Sequence, residues 1–520
     1  MKYTVRLLSI LLLCMIMVFS GFAGRVSAEE NVPETDPADP GEAAMAEEVG
    51  SSLLVTGYEG FADFRLMFDK KHGFWQETAG PCSMTLSYGT GIGSLYVMFA
   101  EPLGQYSLTN EDTGVTVTCG EYNFMHDFLD LTALFGTAPK SVTLSFTSET
   151  VCIRELYVFT PGQVPDFVQK WNAPAEGRAD LVLFSTHGDD EHLFFAGLLP
   201  YYGVVKGYQV QVVYLTDHHN NSGTQRMMEM LDGLWSIGLD TYPVFGPFED
   251  FYLMDKTEGY LGFKGYGWSK EDLLGFVVEN IRRFRPMVAV GHDFAGEYGH
   301  VQHIVYADLL SQAIKVSMDP EAFPESAEKY GTWDVPKTYF HLYKENEIVM
   351  DWDQPSEKLG GQTPYEVSIY SGFAQHMSQL DSFMWYYYGY TKASQIRLFN
   401  PCYYGLYRTT AGPDTQKNDM FENLTTHAEL ARIAEEKRLA EEAKKAEEEA
   451  ARLKAEAEAK AKAEEEAKRL AELEAQQKAQ LEKEATEQKN RIILAVAACV
   501  LGAAILAGIL LSAFTKNKLK

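Results

Sequence analysis

Only six of the 520 residues are cysteine, and no two of them form a Cys-x-x-Cys pair. A cysteine metal site is therefore not expected. Cys14 lies in an apolar leader and Cys499 in a second apolar segment, which leaves Cys82, Cys119, Cys152 and Cys402. Their spacing fixes no disulfide connectivity, and at least two are expected as free buried thiols. Positive charge is in deficit: the net charge is −28. A nucleic-acid polyanion is not an expected partner, because phosphate binding needs a clustered basic surface. No His-Glu-x-x-His occurs, which disfavours a metalloprotease of that type. No Gly-x-Gly-x-x-Gly follows the first strand of the central region, which disfavours a dinucleotide.

What is present divides the chain into regions. Residues 1–28 read as a secretory signal: Lys2 and Arg6 precede an apolar run, and Val26-Ser27-Ala28 offers a small-residue cleavage site. Residues 29–50 are rich in Glu, Pro, Asp and Ala and read as a disordered acidic linker. Residues 51–160 contain short alternating runs broken by Gly, Asp and Asn, the pattern of an all-β sandwich. A Pro/Gly/Ala linker is expected at 161–177. Strand and helix patterns then alternate through 178–412, which predicts an α/β, Rossmann-like parallel sheet. Residues 420–490 lack glycine and proline and interleave Glu, Lys and Ala at helical spacing. That predicts a solvated helical stalk or loose coiled coil, on the order of 100 Å long, whose composition admits self-association. Ile492 to Phe514 is apolar and long enough to span a bilayer. The lysines of 515–520 place that tail in the cytoplasm, so a single-pass membrane protein with an extracellular catalytic region is expected.

Two stretches carry chemistry. Asp180-Leu-Val-Leu-Phe-Ser-Thr-His187-Gly-Asp189-Asp190-Glu191 reads as a buried strand ending in a charged loop. Adjacent aspartates and a histidine at the carboxyl edge of a sheet are costly to bury without a cation or hydrogen bonds. They suit a metal with two ligands and an adjacent general base. Met287-Val-Ala-Val-Gly291 is a second buried-strand run, followed by His292 and then by Gly299-His300-Val-Gln302-His303 and an apolar helix. His300 and His303, three apart, share a helix face, so one can bind metal while the other points into the pocket. His192 reads as packing, and His218 and His219 as solvated loop residues. Arg226 divides between a substrate contact and a helix ion pair with Glu229 or Asp232.

His-Gly-Asp-Asp-Glu after a strand, with a distant Gly-His-x-x-His, resembles the PIG-L/LmbE-like family of zinc-dependent de-N-acetylases. The resemblance covers roughly residues 178–405. It implies that His187, Asp190 and His303 hold Zn²⁺ and that Asp189 is the general base. It implies that His300 protonates the leaving amine or stabilises the oxyanion, and that Arg226 and Asp250 meet a sugar substrate. Gly188 stands where the family has proline, a change that keeps a tight turn open. Gln302, placed with the substrate-binding residues, stands where the family has aspartate. A neutral amide raises a neighbouring histidine's pKa less than a carboxylate does, so His300 is expected to hold its proton less tightly unless Asp293 or Glu297 compensates. Gln375-His376-Met-Ser378-Gln379 resembles a stretch near the end of the family's domain, and the aromatics from Trp385 read as core or as a sugar platform. Leu66 to Asp69, Trp75 and the run from Ile153 resemble discoidin/galactose-binding-like modules.

These features imply a surface-anchored hydrolase that removes the acetyl group from an N-acetylated carbohydrate. Two alternatives stay open: a glycan-binding adhesin with an inactive domain, and a hydrolase of another amide.

Overall fold

The computed structural model describes residues 44–58, 60–216 and 225–516. The signal segment, the linker through residue 43, Asp217, His218, His219 and the last four residues lie outside the described residues.

Residues 54–159 form nine strands: β1 Leu54–Thr56, β2 Gln76–Ala79, β3 Cys82–Ser87, β4 Ser94–Phe99, β5 Tyr106–Asn110, β6 Val115–Cys119, β7 His126–Asp130, β8 Ser141–Phe146 and β9 Thr150–Phe159. They make two antiparallel sheets, ordered β1-β3-β8-β5-β6 and β2-β9-β4-β7. β3 and β8 alternate buried and half-buried positions, as strands with one solvated face must. β4 and β9 are buried on both faces, and the period of two sorts their side chains into two cores. Leu95, Val97, Phe99, Leu156 and Val158 fill the space between the two sheets. Tyr96, Met98, Tyr157 and Phe159 point the other way, into the core of the following unit.

That unit has seven strands: β10 Leu181–Ser185, β11 Val210–Thr216, β12 Val244–Phe248, β13 Val288–Gly291, β14 Lys337–His341, β15 Glu347–Val349 and β16 Tyr403–Thr409. Their order is β12-β11-β10-β13-β14-β16-β15, with the first five parallel and β16 antiparallel to both neighbours. Helix α1, Gln225–Ser236, and the β unit cover one face. Helices α2 Lys256–Gly265, α3 Lys270–Phe284 and α4 Val301–Val316 cover the other. The chain steps outward from β10 to β12 and returns on the other side of β10 at β13. The loops leaving β10 and β13 therefore diverge, and a crevice opens at the carboxyl edge between them.

Several expected boundaries move. Residues 44–50 are not a free linker: Ala46 donates to Gln163 O at 2.9 Å and Val49 is buried. The stretch 161–177 is not a spacer either, because Val164, Val168 and Trp171 are buried in the core shared by both units. The α/β unit does not end at 412. Asp414 is buried against Lys337 and Tyr339, and Met420 and Phe421 are buried beyond it. The apolar run 193–199 carries a helical pattern, but the helix here is only the four residues Asp190–Leu193, followed by turns. The turns run through Gly197, at φ 92°, and helical backbone resumes beyond it into the π-turn Pro200–Val205. All four cysteines outside the apolar segments are free and buried.

The last element is one helix, α5, His427–Lys516, of 90 residues. The charged stretch and the apolar segment are continuous in it, about 135 Å at 1.5 Å per residue. Its N-terminus is tied to the sheet, with His427 N donating to Asp180 Oδ1 at 2.7 Å. Arg432 and Arg438 each pair with glutamates three residues before and four after. By length and composition its C-terminal part is apolar enough to cross a membrane.

Candidate metal and catalytic site

Every site residue follows the carboxyl end of a strand. His187, Asp189 and Asp190 follow β10, Asp250 follows β12, His292, Glu297, His300 and His303 follow β13, and His341 ends β14. Gly188 lets the first loop close: a Cβ there would lie 2.0 Å from Met230 Cγ on α1. Its φ is ordinary, so close packing, and not the tight turn expected from the sequence, requires glycine here.

His187 Nδ1 lies 3.1 Å from His303 Nε2 and 3.3 Å from Asp190 Oδ2, and His303 Nε2 lies 3.2 Å from Asp190 Oδ2. Three donors about 2.0 Å from a tetrahedral ion stand roughly 3.3 Å apart, so these three atoms fit one face of a zinc tetrahedron. Each ligand is held from behind. His303 Nδ1 meets Glu297 Oε2 at 2.8 Å, which leaves Nε2 as the lone-pair nitrogen. His187 Nε2 faces Gln302 Oε1 at 3.1 Å and Asp250 Oδ1 at 3.3 Å, which leaves Nδ1 toward the cluster. Asp190 Oδ2 accepts the His187 backbone N–H at 2.8 Å.

Glu297 is the hub behind the site. Besides His303 it binds His292 Nδ1 at 2.8 Å and His341 Nδ1 at 2.6 Å. Burial would raise its carboxyl, but the surrounding imidazoles, His292 foremost, hold it well below the usual range. Burial likewise opposes ionisation of Asp190, and His303 and His187 outweigh it. Sequence reasoning named Glu297 only as a neighbour for His300 and gave no role to His292 or His341. The segment after β13 and the end of β14, more than 35 residues apart, converge here, and no local spacing encodes that.

Asp189 does not join the ligand triangle. Arg226 Nη2 donates to its Oδ2 at 3.0 Å and reaches Asp250 Oδ2 with Nη1 at 3.6 Å. Arg226 thus pairs with site carboxylates, not with Glu229 or Asp232. Burial raises the Asp189 carboxyl to about 6, with Arg226 pulling it down. A base with that pKa sits near working pH. His300 packs edge-on to His187, ring centroids 4.7 Å apart. Burial, and then the neighbouring imidazoles, push it down to about 2.

Gln302 does not tune His300 and does not face the substrate space. It is fully buried, donates to Glu249 O at 2.8 Å and accepts from Phe251 N at 3.1 Å. It ties the loop after β12 to His187. Glu297 does not compensate at His300 either, since its oxygens are taken by the three other histidines. The open cleft beside the triangle, about 470 Å³, is lined by His187, Asp189, Arg226, Asp250 and His300, with Tyr252, Tyr266, Tyr298 and Phe383 around them. In the aromatic run after 384, Tyr386 is core, whereas Trp385 is about half exposed.

Residues 182–314 match the model of the PIG-L family, described as GlcNAc-PI de-N-acetylase, so the chain carries a PIG-L domain there. A 1D-myo-inositol 2-acetamido-2-deoxy-alpha-D-glucopyranoside deacetylase of Saccharopolyspora erythraea is 39% identical over 71 residues, 14% of this chain and 25% of the relative. The enzyme of that name from Mycobacterium leprae is 26% identical over 186 residues, 31% of this chain and 59% of the relative. The chain thus matches a quarter to about three fifths of these relatives' own length. Among solved structures, N,N'-diacetylchitobiose deacetylase from Pyrococcus horikoshii aligns with a TM-score of 0.27 and 13% identity, over 43% of this chain and 82% of that one.

Proposed function

We propose that this protein is a zinc-dependent de-N-acetylase that hydrolyses the acetamido group of an N-acetylated amino sugar. The observation that carries the reading is the triangle of His187 Nδ1, Asp190 Oδ2 and His303 Nε2, with edges of 3.1–3.3 Å, whose His187 lines a cleft that also holds the Asp189 carboxylate. Zinc held by those three residues supplies Lewis acidity toward an amide carbonyl and makes water a stronger nucleophile near neutral pH. Asp189 takes the proton from the attacking water, and Arg226 fixes the carboxylate for that task. His300 is neutral in its buried setting, and a nearby cation acts in the same direction, so it serves as a hydrogen-bond donor to the oxygen that gains charge. The carbon–nitrogen bond then breaks, and the proton held by Asp189 passes to the departing amine. Acetate and a free amino sugar leave.

The α/β unit is placed outside the cell on a single span, with α5 as its stalk. The β unit is read as an accessory module of galactose-binding type, on which Phe74 and Trp75 are exposed aromatics suited to a sugar face. Acetate release from N-acetylglucosamine oligomers and glycoconjugates, measured with stoichiometric zinc, tests the activity. His303→Ala should lose zinc and turnover together. Turnover retained at full rate in that variant would refute the ligand assignment.

A further inference from the structure

Behind the first triangle lies a second convergence of ligand-type side chains. Glu191 and His192 belong to the short helix Asp190–Leu193, directly after the two site aspartates. His376 comes from the segment that follows the π-turn Val367–Gly372. One ligand atom from each of the three lies within 4.8 Å of the others. Glu191 Oε1 is 3.5 Å from His192 Nε2 and 3.7 Å from His376 Nε2. All three residues are completely buried.

We propose that Glu191, His192 and His376 form a second binding site for a divalent first-row metal ion, closed to solvent and separate from the crevice. Hydrogen bonding does not account for the cluster. The two contacts are longer than an N–H···O bond. Among the described residues, no hydrogen bond of ordinary geometry reaches either Glu191 oxygen or either His192 nitrogen; the buried Tyr214 hydroxyl and a backbone N–H lie near Glu191, but burial still outweighs them. Leaving a buried carboxylate and a buried imidazole unsatisfied is expensive, and one cation compensates both together. The separations suit it: donors spread at about 120° around an ion roughly 2.1 Å away stand about 3.6 Å apart. Two histidines and a glutamate are a donor set that zinc and its neighbours in the first row accept.

The walls are built for this approach. A Cβ on Gly233 would stand 2.8 Å from His192 Nε2 and 2.9 Å from His376 Nε2, and one on Gly372 would stand 2.4 Å from His192 Nδ1. Glycine at both places lets the two imidazoles lie against backbone. Full burial leaves no position for substrate, so the ion is structural. It ties the turn carrying Asp189 and Asp190 to the 367–376 segment, and Glu191, His192 and His376 act as positioning residues. The assignment does not depend on the reaction at the first site.

The test counts metal in the full chain reconstituted with zinc alone, by plasma mass spectrometry, and locates it by anomalous diffraction at the zinc edge. Two ions per chain are expected, one between Glu191 and His376. His376→Ala should lower the count to one and leave the peak at His187. His303→Ala should lower it to one and leave the other peak. A single ion in the unaltered chain with no density between Glu191 and His376 overturns the proposal, as does an unchanged count in His376→Ala. Should that variant fail to fold, the anomalous map of the unaltered chain decides alone.

Discussion

Two parts of this molecule bury carboxylates, and they do so differently. At the crevice edge of the parallel sheet, Asp190 and Glu297 are ringed by histidines that outweigh the cost of burial and keep both ionised. On β9 of the β unit, Glu155 is buried with the backbone of Lys70 and Lys71 and the carboxylates of Asp69 and Glu48 nearby; burial outweighs the backbone N–H groups and raises its carboxyl to about 7. The first arrangement concentrates charge because partners hold it, and it is there that chemistry gathers. The second is a plain cost to the fold. Burial alone therefore does not mark a functional carboxylate; the partners around it do.

The largest expected effect comes from removing a partner outright. A chain cut to residues 51–412 loses Asp414, which leaves Lys337 buried without its counter-charge, and it also loses Met420 and Phe421. Breaking a buried pair costs about 3–5 kcal/mol, so this fragment should aggregate or lack a cooperative melt. Residues 44–432 should melt cooperatively. Equal thermal transitions in the two would show that the 413–424 segment contributes little.

Within the crevice, Asp189→Asn should keep bound zinc and lose on the order of a hundredfold or more in kcat. Zinc loss in this variant would mean that Asp189, not Asp190, completes the triangle. Glu297→Gln removes the anion behind His303 and should weaken zinc binding about 10–100-fold, read by competition with a chelator. An unchanged affinity would show that the hub orients loops and does nothing for the ligand.

The smallest effect is the one that tests the contrast from the other side. Glu155 titrates near 4.5 when unfolded and near 7 when folded, so the fold prefers the protonated form. Its burden is absent below the unfolded value, grows as pH rises between the two, and is full above 7. Glu155→Gln should therefore raise stability at pH 8, by less than the about 3 kcal/mol that a shift from 4.5 to about 7 represents at 1.36 kcal/mol per pKa unit, because the buried amide keeps part of the desolvation cost, and change little at pH 4. Urea midpoints at the two pH values measure it. A loss of stability at pH 8 would mean that the carboxylate has a favourable partner after all.

The sequence alone determined the elements with strong local signals. The apolar runs at 181–184 and 287–291 and the periodic stretch 270–284 are strands and a helix in the structure, because buried strands and amphipathic helices write their period directly into the residues. The family resemblance had grouped His187, Asp190 and His303, from one motif after β10 and another that opens α4, and the three side chains lie together in the structure. Tertiary structure decided the rest. The ends of the folded region at 44–50 and 413–424 depend on buried contacts to distant segments, which composition does not reveal. Gln302 and Arg226 have partners chosen by which loops meet at the crevice, and here those partners are Glu249, Phe251, Asp189 and Asp250. Glu297 became a hub only because β13 and β14 lie side by side. His192, read as packing, meets His376 across 184 positions because glycines at 233 and 372 let the two chain segments approach. Local sequence fixes what a segment prefers to be, whereas a site made of side chains from separate loops exists only once the sheet has brought those loops to one edge.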